Sequence, residues 1–255
     1  MAWDPAQYLA FADHRQRPAM DLLARIPLLS PQTVYDLGCG PGTVTRILRR
    51  RWPEAIIMGI DGSVAMLERA RREAPGVEWI EGDLAHWTPR QPADLIYSNA
   101  ALHWLDDHEK LFERLIGEVS AGGILAIQMP RNHRAPSHVG MAETIAEGPW
   151  AERLARVRSI RPVHDPAYYY DILAPHCRDL DIWESEYLHL LDGERPVVEW
   201  TSGTALKPYL AALDESERSD FLARYAGRMA RAYPPRRDGR TLFPFRRLFI
   251  VATRA

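Results

Sequence analysis

Along the first 130 positions, short apolar blocks alternate with stretches whose apolar residues recur at helical spacing. Thr33–Leu37, Ile56–Ile60, Val77–Ile80, Ala93–Tyr97 and Ile124–Met129 predict strands, being short and bounded by glycine, proline or polar residues. Between them, Gly42–Arg51, Ser63–Glu73 and His108–Val119 predict helices. Ser63 suits an N-cap, and Arg49, Arg50 and Arg51 complement a helix dipole in a last turn. Upstream, Tyr8, Phe11, Met20, Leu22, Leu23 and Ile26 keep helical spacing with a break at Pro18, which predicts two short helices over 5–26. Strands alternating with helices imply an α/β fold built on a mostly parallel, doubly wound sheet.

After Pro130 the rhythm changes. Residues 131–165 combine arginine, histidine and proline with weak periodicity, predicting a loop and helix insertion. Ala167–Ala174 predicts a helix, Leu180–Leu191 a long alternating strand, and 196–233 two or three helices. One of these opens at Asp214 with Glu217 three residues on, the spacing of a capping box. Arg247–Thr253 predicts a terminal strand, and the two late strands suit an antiparallel edge of the sheet.

Composition narrows the function more by exclusion than by suggestion. A net charge of −2 provides no electrostatic footprint for nucleic acid or an anionic membrane. Of 32 cationic residues, all but Lys110 and Lys207 are arginine, and planar guanidinium groups grip carboxylates bidentately. Cys39 and Cys177 are too few for a disulfide framework or a zinc site, so no metal is expected. Met1–Pro5 shows no basic region leading into an apolar one, and no apolar run approaches the ~20 residues that span a bilayer. These features predict a cytoplasmic protein with reduced thiols, and they leave its oligomeric state open.

The chemistry concentrates in Asp36-Leu37-Gly38-Cys39-Gly40-Pro41-Gly42, where a predicted strand turns into a helix. Glycines there permit positive φ and let the backbone approach a ligand, and open parallel sheets bind ligands at the carboxyl ends of their strands. Asp61 ends the second strand, where an acid can accept from ribose hydroxyls. Asp83 follows the third strand, placed for an adenine amino group, and Asn99 follows the fourth. A pyrophosphate-binding turn would read Gly-x-Gly-x-x-Gly. This chain has Gly38-x-Gly40-x-Gly42 preceded by Asp36, an acid that would repel pyrophosphate and suit a cationic ligand. No Tyr-x-x-x-Lys dyad for hydride chemistry is present, since Asp106 and Gly203 stand four residues before the two lysines.

Asp36–Gly42, Asp61, Gly82-Asp83 and Asn99–Leu105 resemble the motif series of class I S-adenosylmethionine-dependent methyltransferases. Tyr8-Leu9 with Arg15 and Arg17-Pro18, Gln128-Met129-Pro130 with Asn132, Tyr168–Leu173, Asp181-Ile182-Trp183 and Arg247–Arg254 are similar to the trans-aconitate methyltransferases within that group. The likeness runs through nearly the whole chain; Lys207 stands where arginine is expected. The resemblance implies a Rossmann-like class I fold, S-adenosylmethionine as cofactor, and methyl transfer to a carboxylate of a small polycarboxylate, trans-aconitate. It places cofactor contacts at Asp36, Gly38, Gly40, Asp61, Met66, Asp83, Leu84 and Asn99. Residues 1–30 become a helical segment over the site, 31–130 the cofactor-binding core, and 131–165 and 192–235 helical lid insertions; 166–191 and 236–255 complete the sheet.

A carboxylate is already ionised at pH 7 and needs no general base to attack a methyl group, so no catalytic acid or base is expected. Tyr8, Arg15, His103, Trp104, Arg131, Asn132 and Tyr169 are the candidate substrate contacts, with His133, Arg134 and Arg17 as further cations or donors. A nucleic-acid amino-methyltransferase would favour Asn/Asp-Pro-Pro-Tyr/Phe where this chain has Asn99-Ala100-Ala101-Leu102. A methyltransferase for another small carboxylate or hydroxyl compound, and a non-catalytic nucleotide-binding module, stay open as alternatives.

Overall fold

The computed structural model describes residues 16–157 and 162–255. Tyr8 and Arg15, in the first of the two helices expected over 5–26, lie outside the described residues. The chain forms two compact units. One comprises the chain to Pro130 with Val163–Ser185 and Arg247–Ala255; the other comprises Arg131–Pro162 and Glu186–Arg246.

Among the described residues, the first unit begins with α1 (Arg17–Ala24), in which Pro18 lies in the first turn, where its missing N–H costs nothing. Pro18 therefore starts this helix. At its other end, Arg51 donates to the carbonyls of Leu23 and Ile26. The alternation continues as β1 (Thr33–Leu37), α2 (Thr43–Arg51), β2 (Ile56–Asp61), α3 (Val64–Glu73), β3 (Glu78–Glu81), β4 (Ala93–Asn99), α4 (His108–Gly117) and β5 (Val119–Pro130). Then follow α5 (Pro136–Glu147), α6 (Ala151–Leu154), α7 (Pro166–Leu173), β6 (Cys177–Leu191), α8 (Pro196–Ser202), α9 (Lys207–Ala211), α10 (Glu215–Ala232) and β7 (Thr241–Arg254).

The seven strands form one sheet in the order β3-β2-β1-β4-β5-β7-β6. β1 pairs in parallel with β2 and β4, β2 with β3, and β4 with β5. β7 runs antiparallel to β5, from Ile124 opposite Thr253 to Pro130 opposite Arg247. Every residue of β1 is buried, as a strand covered on both faces requires. Strand order reverses between β1 and β4, and a crevice at their carboxyl ends is where such sheets bind ligands.

The first unit's core includes Tyr35, Leu37, Ile96, Leu125, Ile127, Phe112 and Leu173. Each fully buried aliphatic or aromatic side chain contributes about 1.5–3 kcal/mol. α4 packs on α7 through Phe112 and Tyr169, whose rings lie 4.8 Å apart. β5 starts earlier than its apolar run, because its register against β4 shifts between Ala93 and Leu95 and Gly122 takes a φ of 76°. The glycines hid that first segment from periodicity.

In the second unit, α10 opens with the expected capping box: Asp214 accepts from the Glu217 N–H, and the Glu217 carboxylate accepts from the Asp214 N–H. Its core gathers Trp150, Leu206, Phe221, Tyr225, Met229 and Phe243. α5 and α10 approach closely at Gly140, where a Cβ would lie 2.8 Å from Met229 Cε. Two tyrosines serve the first turn of α5: Tyr225 donates to the Ser137 carbonyl, and the Ser137 N–H donates to the Tyr233 hydroxyl, both at 3.1 Å. β7 starts six residues before the expected Arg247, its early part interrupted by Pro244, which weakened the strand signal. Among the described residues, no helix is long and apolar enough to cross a membrane.

Candidate active site

The turn from β1 into α2 is built around Gly38 and Gly40, with φ of 73° and 54°. A Cβ on Gly38 would lie 2.1 Å from Ala101 Cβ, with Leu84 Cδ1 at 3.6 Å, so the turns after β1, β3 and β4 converge there. A Cβ on Gly40 would meet nothing within 4 Å. That open backbone face can be approached by a ligand without side-chain interference.

Asp61, at the end of β2, ties this turn to the next. Its Oδ2 accepts from the Gly40 N–H and its Oδ1 from the Ser63 N–H, each at 2.8 Å. Two backbone donors fix the carboxylate, and each oxygen keeps a second lone pair for hydroxyl donors. Ser63 then caps α3, accepting from the Met66 N–H at 3.4 Å, and Met66 stands half-exposed on that first turn.

Asp36 is buried, and its Oδ2 accepts from Thr45 Oγ1 at 2.6 Å. Burial pushes its carboxyl up to about 7; Thr45 opposes the shift and the Asp61 charge adds to it. Burial, with Asp36 and Asp61 nearby, also raises the Cys39 thiol well above its ordinary value, so Cys39 is no nucleophile. Asp83 closes an Asx turn, its Oδ1 accepting from the Ala85 N–H at 3.0 Å. The Leu84 carbonyl accepts from Arg114 at 3.0 Å.

Asn99 ends β4 with its Oδ1 buried and without a hydrogen-bond partner among the described residues. Ala100 follows at φ 56°, a left-handed turn uncommon for a residue with a Cβ, and this turn delivers Ala101 to Gly38. All eight residues expected to hold the cofactor therefore lie in the first unit, on the β1–β4 strands or the turns and helix start that follow them.

The expected substrate contacts are more dispersed. His103 is buried in the turn after Asn99, its ring 5.2 Å from half-exposed Trp104. Burial first, then the charges of Arg247 and His108, pushes His103 down to about 3, so the imidazole is neutral at pH 7. Tyr169 is fully buried, its hydroxyl 2.7 Å from His108 Nδ1 and accepting from the His164 N–H at 3.3 Å. Those bonds occupy the hydroxyl within the first unit's core. In the second unit, Asn132 clamps β7: Nδ2 donates to the Arg246 carbonyl at 3.0 Å, and Oδ1 accepts from the Arg246 N–H at 2.8 Å. Arg131 adds its own N–H to the same carbonyl and lines a cavity of about 480 Å³ with Arg134, Arg236, Arg246 and Glu186.

Thr45, which donates to Asp36, was not among the residues expected at the site; nothing in its helical position marks it before folding brings it against that carboxylate.

Residues 34–123 match the family described as a methyltransferase domain. The chain is 53% identical to trans-aconitate 2-methyltransferase of Azoarcus sp. (strain BH72), over 99% of both chains. It is 49% identical to the protein of that name from Methylobacterium nodulans, over 99% of this chain and 98% of that one. Among solved structures, the YcgJ protein from Bacillus subtilis superposes with a TM-score of 0.58 at 15% identity, covering 94% of this chain and 99% of that one. An S-adenosylmethionine-dependent methyltransferase from Mesorhizobium loti superposes with a TM-score of 0.53 at 21% identity, covering 96% and 99%. These two share the fold, the class I methyltransferase sheet with its antiparallel edge. Near-complete coverage at about half identity identifies the chain itself: it belongs to the trans-aconitate 2-methyltransferase family.

Proposed function

We propose that this chain transfers a methyl group from S-adenosylmethionine to a carboxylate of trans-aconitate, giving the monomethyl ester and S-adenosylhomocysteine. The observation that carries the reading is full-length kinship with proteins of that name, joined to a cradle of matching chemistry at the carboxyl ends of β1–β4.

The residues present fit the cofactor. Gly40 leaves open backbone, Asp61 offers lone pairs to ribose hydroxyls, and Asn99 Oδ1 is a buried acceptor awaiting a donor. When bound, S-adenosylmethionine supplies a methyl group on a positively charged sulfur, which an ionised carboxylate oxygen can displace in line. Asp61 supplies a negative charge that suits a cationic ligand, and a bound cation would draw buried Asp36 toward its ionised form. Met66 and Leu84 provide apolar contact for the adenosine, and Asp83 an acceptor for its amino group.

No proton has to move in this reaction. The attacking carboxylate is ionised at pH 7, so no base is needed and His103 has no proton to take from it. The chain's work is to bind, orient and exclude water, bringing oxygen and methyl carbon to about 3–3.5 Å. Of the expected substrate contacts, His103 and Trp104 belong to this proposal. We place the protein in the cytoplasm, where its two cysteines would remain thiols.

Transfer of labelled methyl to trans-aconitate, cis-aconitate, citrate and isopropylmalate tests the reading. Saturable labelling with the highest kcat/KM for trans-aconitate is expected. Labelling of another acid alone would move the chain to a different small carboxylate.

A further inference from the structure

The loop over 82–92, between β3 and β4, carries Asp83 and Leu84 and contains neither strand nor α-helix. β3 is the end strand of the sheet, so no neighbouring strand braces the loop from beyond it. The backbone donors of its turn are satisfied from within. Asp83 Oδ1 accepts from the Ala85 N–H at 3.0 Å, and the Asp83 carbonyl accepts from the His86 and Trp87 N–H groups at 3.0 and 2.8 Å. The carbonyls of the turn are met from outside.

One side chain meets three of them. Arg114 reaches over from α4: Nη2 donates to the Leu84 and Ala85 carbonyls at 3.0 and 3.1 Å, and Nη1 donates to the Trp87 carbonyl. Converging carbonyl dipoles suit a cation, and a planar guanidinium with donors in fixed directions can serve all three at once. The residues held in this way are fixed on a second side as well. Leu84 Cδ1 lies 3.6 Å from where a Cβ on Gly38 would stand, and the Trp87 ring packs edge-on against Tyr35 of β1, centroids 5.0 Å apart. Asp83 is exposed, and its carboxylate is tied to Ala85, whose own carbonyl is on the guanidinium. The clamp therefore sets the direction of an exposed acid on the cofactor edge of the sheet.

We propose that Arg114 is a positioning residue for adenine recognition: by clamping the carbonyls of Leu84, Ala85 and Trp87, it aims the Asp83 carboxylate at the adenine amino group of the methyl donor. The inference rests on the methyl-transfer reading above and adds a residue that acts through Asp83 rather than by touching the cofactor. Lysine cannot replace it, because a single ammonium on a flexible stem does not hold three carbonyls in one geometry.

The test compares calorimetric binding of S-adenosylhomocysteine and S-inosylhomocysteine, in which the adenine amino group is replaced by a carbonyl oxygen. An aimed Asp83 accepts from the amino group and repels that oxygen, so the parent should prefer the adenosyl compound at least tenfold. Arg114→Gln and Arg114→Lys should each reduce this preference at least fivefold. The milder Arg114→Lys keeps the test decisive should Arg114→Gln fail to fold. In an Asp83→Ala background, Arg114→Lys should change S-adenosylhomocysteine affinity less than twofold, because the group it acts through is gone. A merely structural clamp weakens both compounds by the same factor and leaves the preference intact; that result overturns the proposal. A parent that binds S-adenosylhomocysteine without preferring it overturns the proposal while sparing the methyl-donor site. A parent that binds neither compound overturns the cofactor reading and the proposal with it.

Discussion

Gly38 and Gly40 hold similar left-handed backbone for different reasons, and alanine separates them. At Gly38 the added Cβ meets Ala101 at 2.1 Å in addition to the backbone penalty. Strain and overpacking together cost about 2–5 kcal/mol, so Gly38→Ala should melt well below the parent. At Gly40 the Cβ enters open space, leaving about 1–2 kcal/mol of backbone cost and a methyl group in the path of the ligand. Gly40→Ala should therefore lose less stability, yet weaken S-adenosylhomocysteine binding measurably by calorimetry. Asp36 allows a pH test. Its carboxyl is raised from 3.8 to about 7 in the fold, so the folded state holds a proton that the unfolded chain releases. Stability from this group is complete below pH ~4 and declines until pH ~7, by an amount on the order of 4 kcal/mol. Without ligand, Asp36→Asn should gain stability relative to the parent as pH rises from 4 to 7, with the difference level above that. Parallel melting curves across the range would show that Asp36 is not buried as described. The placing of the glycines, Asp61 and Asn99 at strand ends was legible because short apolar blocks mark where each strand stops. The role of Asn132 was not legible, because its partner, Arg246, is 114 residues away and only folding brings them together.

Elements show the same division between local and distant signals. The parallel strands β1 to β4 were legible from apolar blocks, and the α10 start from Asp214 and Glu217, since both signals are local. The beginnings of β5 and β7 escaped because glycines and Pro244 dilute the pattern where pairing across the sheet decides the structure. Asp214→Ala should cost about 1 kcal/mol, read as a lower melting temperature. On α7, Tyr169→Phe leaves His108 Nδ1 without its partner in the core and should cost about 1–3 kcal/mol. Because that hydroxyl is spent on His108 and His164, KM for trans-aconitate should stay within twofold of the parent. A large rise in KM without loss of stability would return Tyr169 to the substrate contacts read from sequence.

For the whole molecule, the sheet order assembles the chemistry. The turns after β1, β2, β3 and β4 are brought side by side by parallel pairing, so residues spread from Asp36 to Asn99 share one edge. The proposed assignment is testable: the turns after β1 to β4 would hold the methyl donor. The most direct measurement is the steady-state kinetics of Asp61→Ala, varying S-adenosylmethionine and trans-aconitate in turn. Loss of hydrogen bonds to a charged acceptor is worth about 1.5–3 kcal/mol, so KM for S-adenosylmethionine should rise about 10- to 100-fold while KM for trans-aconitate stays near that of the parent. A KM for S-adenosylmethionine equal to the parent's would contradict the assignment of this edge to the methyl donor.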